Sequence, residues 1–207
     1  MLLENYLNNF IVLFSVVDPI GVAWLFGAMT HGTPRREQRQ MAIRATLFAS
    51  GILLLFLLTG TRLLDWFGIT IPAFRIAGGA LLFLLSIDMV FARHSGLRST
   101  TTTERDEALH KHDVSIFPLA FPLLAGPGAI TTILLMTSGS TGWIPWSALL
   151  VVVTVIVSTL IVLLFTPALI RGLGETGANV ISRILGLLLA ALAVQYMVDG
   201  VTAVLTR

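Results

Sequence analysis

The stretch "FPLLAGPGAITT", residues 121–132, places Gly126-Pro127-Gly128 in the middle of a long apolar run. In a soluble domain such a tripeptide marks a turn. Here the surroundings exclude that reading. Of 207 residues, 56% are hydrophobic and only 12% are charged, against roughly a quarter charged in an ordinary globular domain. The chain is an integral membrane protein, and a membrane-crossing helix must keep its backbone groups bonded. The question is therefore what a helix breaker does inside a span.

A spanning helix needs roughly 20 mostly apolar residues. Six segments meet that need: 7–30, 44–64, 73–92, 115–138, 146–170 and 180–201. Basic residues fix their orientation. Arg35, Arg36, Arg39 and Arg44 follow span one, Arg93, Arg98, Arg105 and Lys111 follow span three, and Arg171 and Arg183 precede span six. Only Arg62, Arg75 and Arg207 stand opposite, so the asymmetry predicts both termini outside and the basic loops in the cytoplasm. Trp66, Trp143 and Trp146 then fall at outer ends of spans, as interfacial aromatics do. The basic pI of about 9.7 reflects this asymmetry and not a nucleic-acid surface. The chain has no cysteine, which excludes disulfides and thiolate metal sites. No basic segment precedes the first apolar run, so no cleavable signal is expected.

Shifted by 108 positions, the sequence matches itself without a gap. Pro19 meets Pro127, Thr46 meets Thr154, Ser50 meets Ser158, Arg75 meets Arg183, Gly78 meets Gly186 and Met89 meets Met197. Apolar bias matches many Leu and Val pairs by chance, but not Pro, Arg and Gly together. Each half carries three spans, and three is odd, so the second half is expected upside down relative to the first. The expected fold is all-α: one transmembrane domain over 1–207, with repeat one at 1–92, a cytoplasmic loop at 93–114 and repeat two at 115–207.

Asp18-Pro19-Ile20-Gly21 lies about eleven residues into span one, and Gly126-Pro127-Gly128-Ala129 about eleven into span four. At 1.5 Å per residue that is roughly 16 Å, half of a hydrocarbon core about 30 Å thick. Proline interrupts a helix but suits its first position, with Asp or Gly as N-cap. Helices one and four are thus expected to be discontinuous, each restarting near the midplane with free N–H groups that attract anions. The plainer reading is a proline kink that only shapes packing. The candidate substrate site is Asp18, Pro19 and Gly21 with Gly126, Pro127, Gly128, Thr131 and Thr132. A buried carboxylate at one terminus and bare donors at the other complement a zwitterion of amino-acid size, its amine toward Asp18 and its carboxylate toward Gly128-Ala129. Asp18 also suits a proton carrier, because desolvation favours the neutral acid. Arg75 and Arg183, each opening the third span of its half, are candidate gating or anion-binding residues; snorkelling to headgroups is the plainer role. Gln195, one turn before Asp199, is a candidate for hydrogen bonding between helices. His110-Lys111-His112-Asp113 reads as a solvated loop rather than a metal tract. No catalytic residue, metal site or cofactor is expected, since no nucleotide loop, HExxH or GxSxG pattern occurs.

"FGITIPAFRIAGGALLF" (67–83), "AFPLLAGPGAITT" (120–132) and "ISRILGLLLAALAVQYMVDG" (181–200) resemble the MarC family of bacterial and archaeal inner-membrane proteins, over essentially the whole chain. The resemblance implies six spans and, from at least one branch, transport of small neutral amino acids such as glycine and alanine, coupled to a proton or sodium gradient. Family members commonly carry Asn before the first Pro-x-Gly, where this chain has Asp18. The expected partners are a small-molecule substrate, H+ or Na+, and the bilayer of the inner membrane, with a homo-oligomer open and nucleic acid not expected. A passive channel or facilitator, or a membrane scaffold without transport, are the alternatives.

Overall fold

Eight helical segments account for nearly all of the described chain. The computed structural model describes residues 2–91, 113–137 and 146–206, without the side chains of Leu2, Thr61 and Glu175. The central polar loop with His94, His110, His112, Lys111 and its arginines, together with Trp143 and Arg207, lies outside the described residues.

Helix α1 (Leu2–Val17) and α2 (Pro19–Met29) follow one another across a single non-helical residue, Asp18. Together they make a 27-residue apolar run, Leu3–Met29. Helix α3 (Arg35–Trp66) starts nine residues before the expected span at 44. Its first turns carry exposed Arg35, Arg36 and Arg39, so the extension is a polar overhang of the same helix. Its 32 residues span about 48 Å. At its far end Trp66 is 81% exposed. Helix α4 (Ile71–Phe91) is the third span.

The second half differs from expectation at two places. The segment α5 (Ser115–Leu124) is not an ordinary half-helix: it winds in wide turns, with Leu119 N–H donating to the Val114 carbonyl and Ala125 N–H to the Ala120 carbonyl. Phe117 and Phe121 are extended, with φ −130° and −134°. Each precedes a proline, Pro118 and Pro122, whose ring disfavours the α conformation in the residue before it. Helix α6 (Pro127–Thr137) follows at a bend of 49°. Helix α7 (Trp146–Leu164) then ends earlier than the span expected at 146–170. The chain re-enters helix at once as α8 (Thr166–Leu205), because Pro167 tolerates only the first turn of a helix. No loop separates the last two spans. Instead α8 is interrupted at Gly174, φ 62°, and its membrane span is Thr176–Leu205. Among the described residues five helices are long and apolar enough to cross a membrane, six with α5 and α6 counted as one bent span.

Helices α4 and α8 pack antiparallel and close. A Cβ at Gly200 would sit 2.8 Å from the Pro72 carbonyl oxygen, one at Gly79 2.7 Å from the Ala193 carbonyl oxygen, and one at Gly186 3.2 Å from the Ser86 carbonyl oxygen. The glycines let two backbones approach where no larger residue fits. Around this pair Leu13, Val17, Leu53, Leu82, Leu124, Ile133 and Val151 form the buried core.

Candidate functional site

Asp18 stands alone between α1 and α2 with φ 49° and ψ 65°. It is the one non-glycine residue with positive φ among the described residues. A left-handed backbone costs an L-residue about 1–2 kcal/mol, and Asp is among the few types that visit it routinely. The local chemistry stabilises it. Pro19 sets the first helical φ, and the Gly21 N–H donates to Asp18 Oδ1 at 3.2 Å, capping α2. The side chain is 1% exposed.

A second donor comes from far along the chain. The Ser182 hydroxyl of α8 lies 3.0 Å from Asp18 Oδ2 and 3.2 Å from Oδ1. Hydrogen bonds to a charged acceptor in a dry interior are among the stronger ones. Gly21 makes the arrangement possible: a Cβ there would lie 2.3 Å from Asp18 Oδ2 and 3.1 Å from Ser182 Oγ. The sequence reading missed Ser182. Its signal was a lone hydroxyl in an apolar run beside Arg183, and nothing in helical periodicity says which other helix it meets.

The other interruption is built from backbone alone. Gly126 precedes Pro127, and its carbonyl accepts the Ile130 N–H at 3.0 Å. A Cβ at Gly126 would fall 2.2 Å from the Pro122 carbonyl oxygen, so only glycine fits the bend. Gly128 packs against aliphatic side chains: its Cβ position is 3.1 Å from Val16 Cγ1 and 2.8 Å from Leu85 Cδ2. Val16 is two residues from Asp18, and this contact brings the two interruptions side by side.

The threonines do different work. Thr132 is fully buried and its hydroxyl donates to the Gly128 carbonyl at 2.9 Å, inside its own helix. Thr131 packs its methyl on Gly78 of α4, 2.5 Å from where a Cβ would be. Neither arginine joins the constellation by a described bond. Arg75 is half-buried, close enough to the Tyr196 phenol to act on it electrostatically, as Asp199 also does. Arg183 is exposed. Among the described residues, no three His, Cys, Asp or Glu side chains gather as a metal site. At the start of α5, Asp113 accepts from the Ser115 N–H at 2.9 Å and from Arg44 Nη1 at 2.9 Å. The Ser115 side chain is the largest influence holding its carboxyl below the usual range; partial burial opposes it, and the Ser115 N–H and then Arg44 add to the lowering.

Long apolar helices, a buried carboxylate at a helix interruption and glycine-mediated backbone contact define a polytopic helical membrane protein. The chain belongs to the MarC family: the model described as "MarC family integral membrane protein" matches residues 3–205. It is similar to a UPF0056 membrane protein of Archaeoglobus fulgidus, 35% identical over 96% of this chain and 92% of the relative. It is also similar to UPF0056 membrane protein MJ1677 of Methanocaldococcus jannaschii, 34% identical over 98% of both. A third relative, UPF0056 membrane protein YvbG of Bacillus subtilis, is 33% identical over 94% of this chain and 92% of its own length. No solved structure matches.

Proposed function

We propose that the protein is a secondary transporter of small neutral amino acids, driven by a proton or sodium gradient. It works in the inner membrane with both termini outside, as a 3+3 inverted repeat with helices one and four broken. Supporting the repeat, α2 and α6 are each 11 residues long and each start with proline, 108 positions apart. The third spans of the two halves, α4 and the far part of α8, run antiparallel. Thr46 and Ser50 in α3 and Thr154 and Ser158 in α7 each bond a carbonyl one turn earlier.

The observation that carries the reading is the Asp18–Ser182 bond, which ties the interruption of the first half to the last helix of the second. An ionisable group inside a span is expensive and marks an ion or substrate path. Protonating Asp18 weakens the bonds it accepts from Gly21 and Ser182, so charge at this carboxylate and the relative position of the halves are one equilibrium. Substrate binds with its amine at Asp18 and its carboxylate at the N-terminus of α6, around Gly126, Pro127 and Gly128. In the described conformation Val16 and Leu85 cover that terminus, and rocking of one half against the other uncovers it. Arg75 and Arg183 stay outside this site, near its two exits.

The test is uptake of labelled glycine and alanine into proteoliposomes under imposed proton or sodium gradients. Saturable, gradient-driven accumulation is expected. Ser182→Ala, which leaves the carboxylate with one fewer donor, is expected to slow gradient-driven uptake. Flux that ignores the gradient would mean a channel, and no flux of any amino acid would defeat the proposal.

A further inference from the structure

The last span is the least covered part of the molecule. Of the most apolar 18 residues of Thr176–Leu205 only 22% are buried inside the protein, against 39–50% for the other four spans. Its exposed face, which also carries Leu187, Val194 and Val201, contains one line at heptad-like intervals. Ile184, Leu188, Ala191, Gln195, Val198 and Thr202 are all exposed and follow one another at intervals of 4, 3, 4, 3 and 4 residues. This is the 3.5-residue seam along which two helices pack in left-handed crossings. Exposed residues of α7, Trp146, Leu150, Val153 and Val157, follow at similar intervals. The spacing thus permits such packing on either helix, and it is the polar residue within the α8 line that distinguishes it.

Gln195 sits in the middle of the seam. It is 12 residues beyond Arg183, about 18 Å along the axis, and 10 residues before Leu205, about 15 Å. With a hydrocarbon core about 30 Å thick, its amide lies well inside. One N–H donates to Asp199 Oδ1 at 2.7 Å. Among the described residues the amide oxygen has no partner, and the second N–H none. Facing hydrocarbon, those two groups pay for their lost hydration with nothing in return. Thr202, the other polar residue of the seam, is satisfied by the Val198 carbonyl at 2.9 Å.

We infer that α8 is the interface of a parallel homodimer, with a second copy of this chain lying along the seam. The occupant follows from the chemistry of the unpaired groups. Copies inserted in the same orientation and related by a two-fold axis along the membrane normal put the two Gln195 side chains at one depth, face to face. An amide is both donor and acceptor, so the pair completes itself: each oxygen takes the other's free N–H. A carboxylate or an ammonium at that position would repel its twin. Ala191, one turn away, has no bulk to hold the helices apart. The glycines of this region are already used within the chain, against Ser86, Ala193 and Pro72, so they do not compete for the interface. A single polar residue in an apolar seam also fixes register.

The absence of cysteine in the sequence makes the test direct. Ala191→Cys and Val198→Cys, each alone in the full chain and oxidised in native membranes, are expected to give a disulfide-linked band of twice the mass. Val157→Cys, on the exposed face of α7, is expected to give none. Gln195→Leu is expected to weaken association about five- to tenfold in detergent-dilution energy transfer between labelled copies. An unchanged helix content and thermal midpoint in that variant assigns the loss to the interface and not to folding. The inference is overturned if both seam cysteines remain monomeric, if Val157→Cys cross-links equally, if the adduct has another protein's mass, or if Gln195→Leu associates as tightly as the parent.

Discussion

The two interruptions solve one problem with different materials. At Asp18 a single left-handed residue separates α1 from α2, and its carboxylate caps the next helix and accepts from Ser182. At Gly126 a ten-residue segment of wide turns leads into a 49° bend shaped by prolines and a glycine, without a charged side chain. Both are followed by eleven-residue helices beginning with proline. One junction rests on the chemistry of a carboxylate, the other on the shape of proline- and glycine-bearing backbone. Only the first kind leaves a titratable group behind.

That contrast can be broken most sharply at Asp18. Asp18→Ala removes the cap, about 1 kcal/mol, and leaves alanine in the left-handed region, about 1–2 kcal/mol more. A loss of about 2–3 kcal/mol in unfolding free energy is expected, read as a lowered thermal midpoint. Asp18→Asn keeps the acceptor oxygen and tolerates the backbone, so most of that stability should stay while the pH dependence of uptake disappears. Were the two variants equally unstable, the cap and the left-handed backbone would not be what holds this interruption.

The second interruption is sharpened by Gly126→Ala. Its Cβ meets a carbonyl oxygen rather than a movable side chain, so the bend must open, at about 1–3 kcal/mol. Gly51→Ala, where a Cβ meets nothing within 4 Å, is the control and should be neutral or stabilising by up to about 1 kcal/mol. Equal effects at the two glycines would remove the steric account of the bend.

The smallest effect is at the mouth of α5. The Asp113 carboxyl is lowered in the folded state, so its contribution is complete at neutral pH and is lost as pH falls through the acid range below the ordinary value of 3.8. The Arg44–Asp113 pair is largely exposed, and such pairs contribute under about 1 kcal/mol. Asp113→Asn should therefore flatten the acid limb of the stability curve slightly and leave neutral stability nearly unchanged.

Much of this was legible in the residues and some was not. The six apolar runs and both prolines are local signals, and Pro19 and Pro127 do begin helices. The repeated Phe-Pro of 117–118 and 121–122 was equally local, and it announces that α5 cannot be an ordinary half-helix, because each proline forces the preceding residue out of the α region. Hydropathy alone passed over it. The boundary at 164–166 escaped because Pro167 fits the first turn of a new helix as readily as it ends an old one. Ser182 escaped for a deeper reason: its partner is 164 residues away, and a hydroxyl in an apolar run carries no label for the helix it will meet. Thr132, placed at the substrate site from its spacing, donates its hydroxyl to the Gly128 carbonyl of its own helix, a contact that spacing alone did not foretell.

Helix α3 has a consequence of another kind. Between Arg44 and Trp66 it runs 22 residues, about 33 Å, close to the thickness of the hydrocarbon layer. It carries a guanidinium at one end and an indole at the other, the groups that settle at membrane interfaces, so its length can be set against the membrane around it. A thinner bilayer is met first by tilting α3, and everything packed against it, α5 and α7 included, tilts with it.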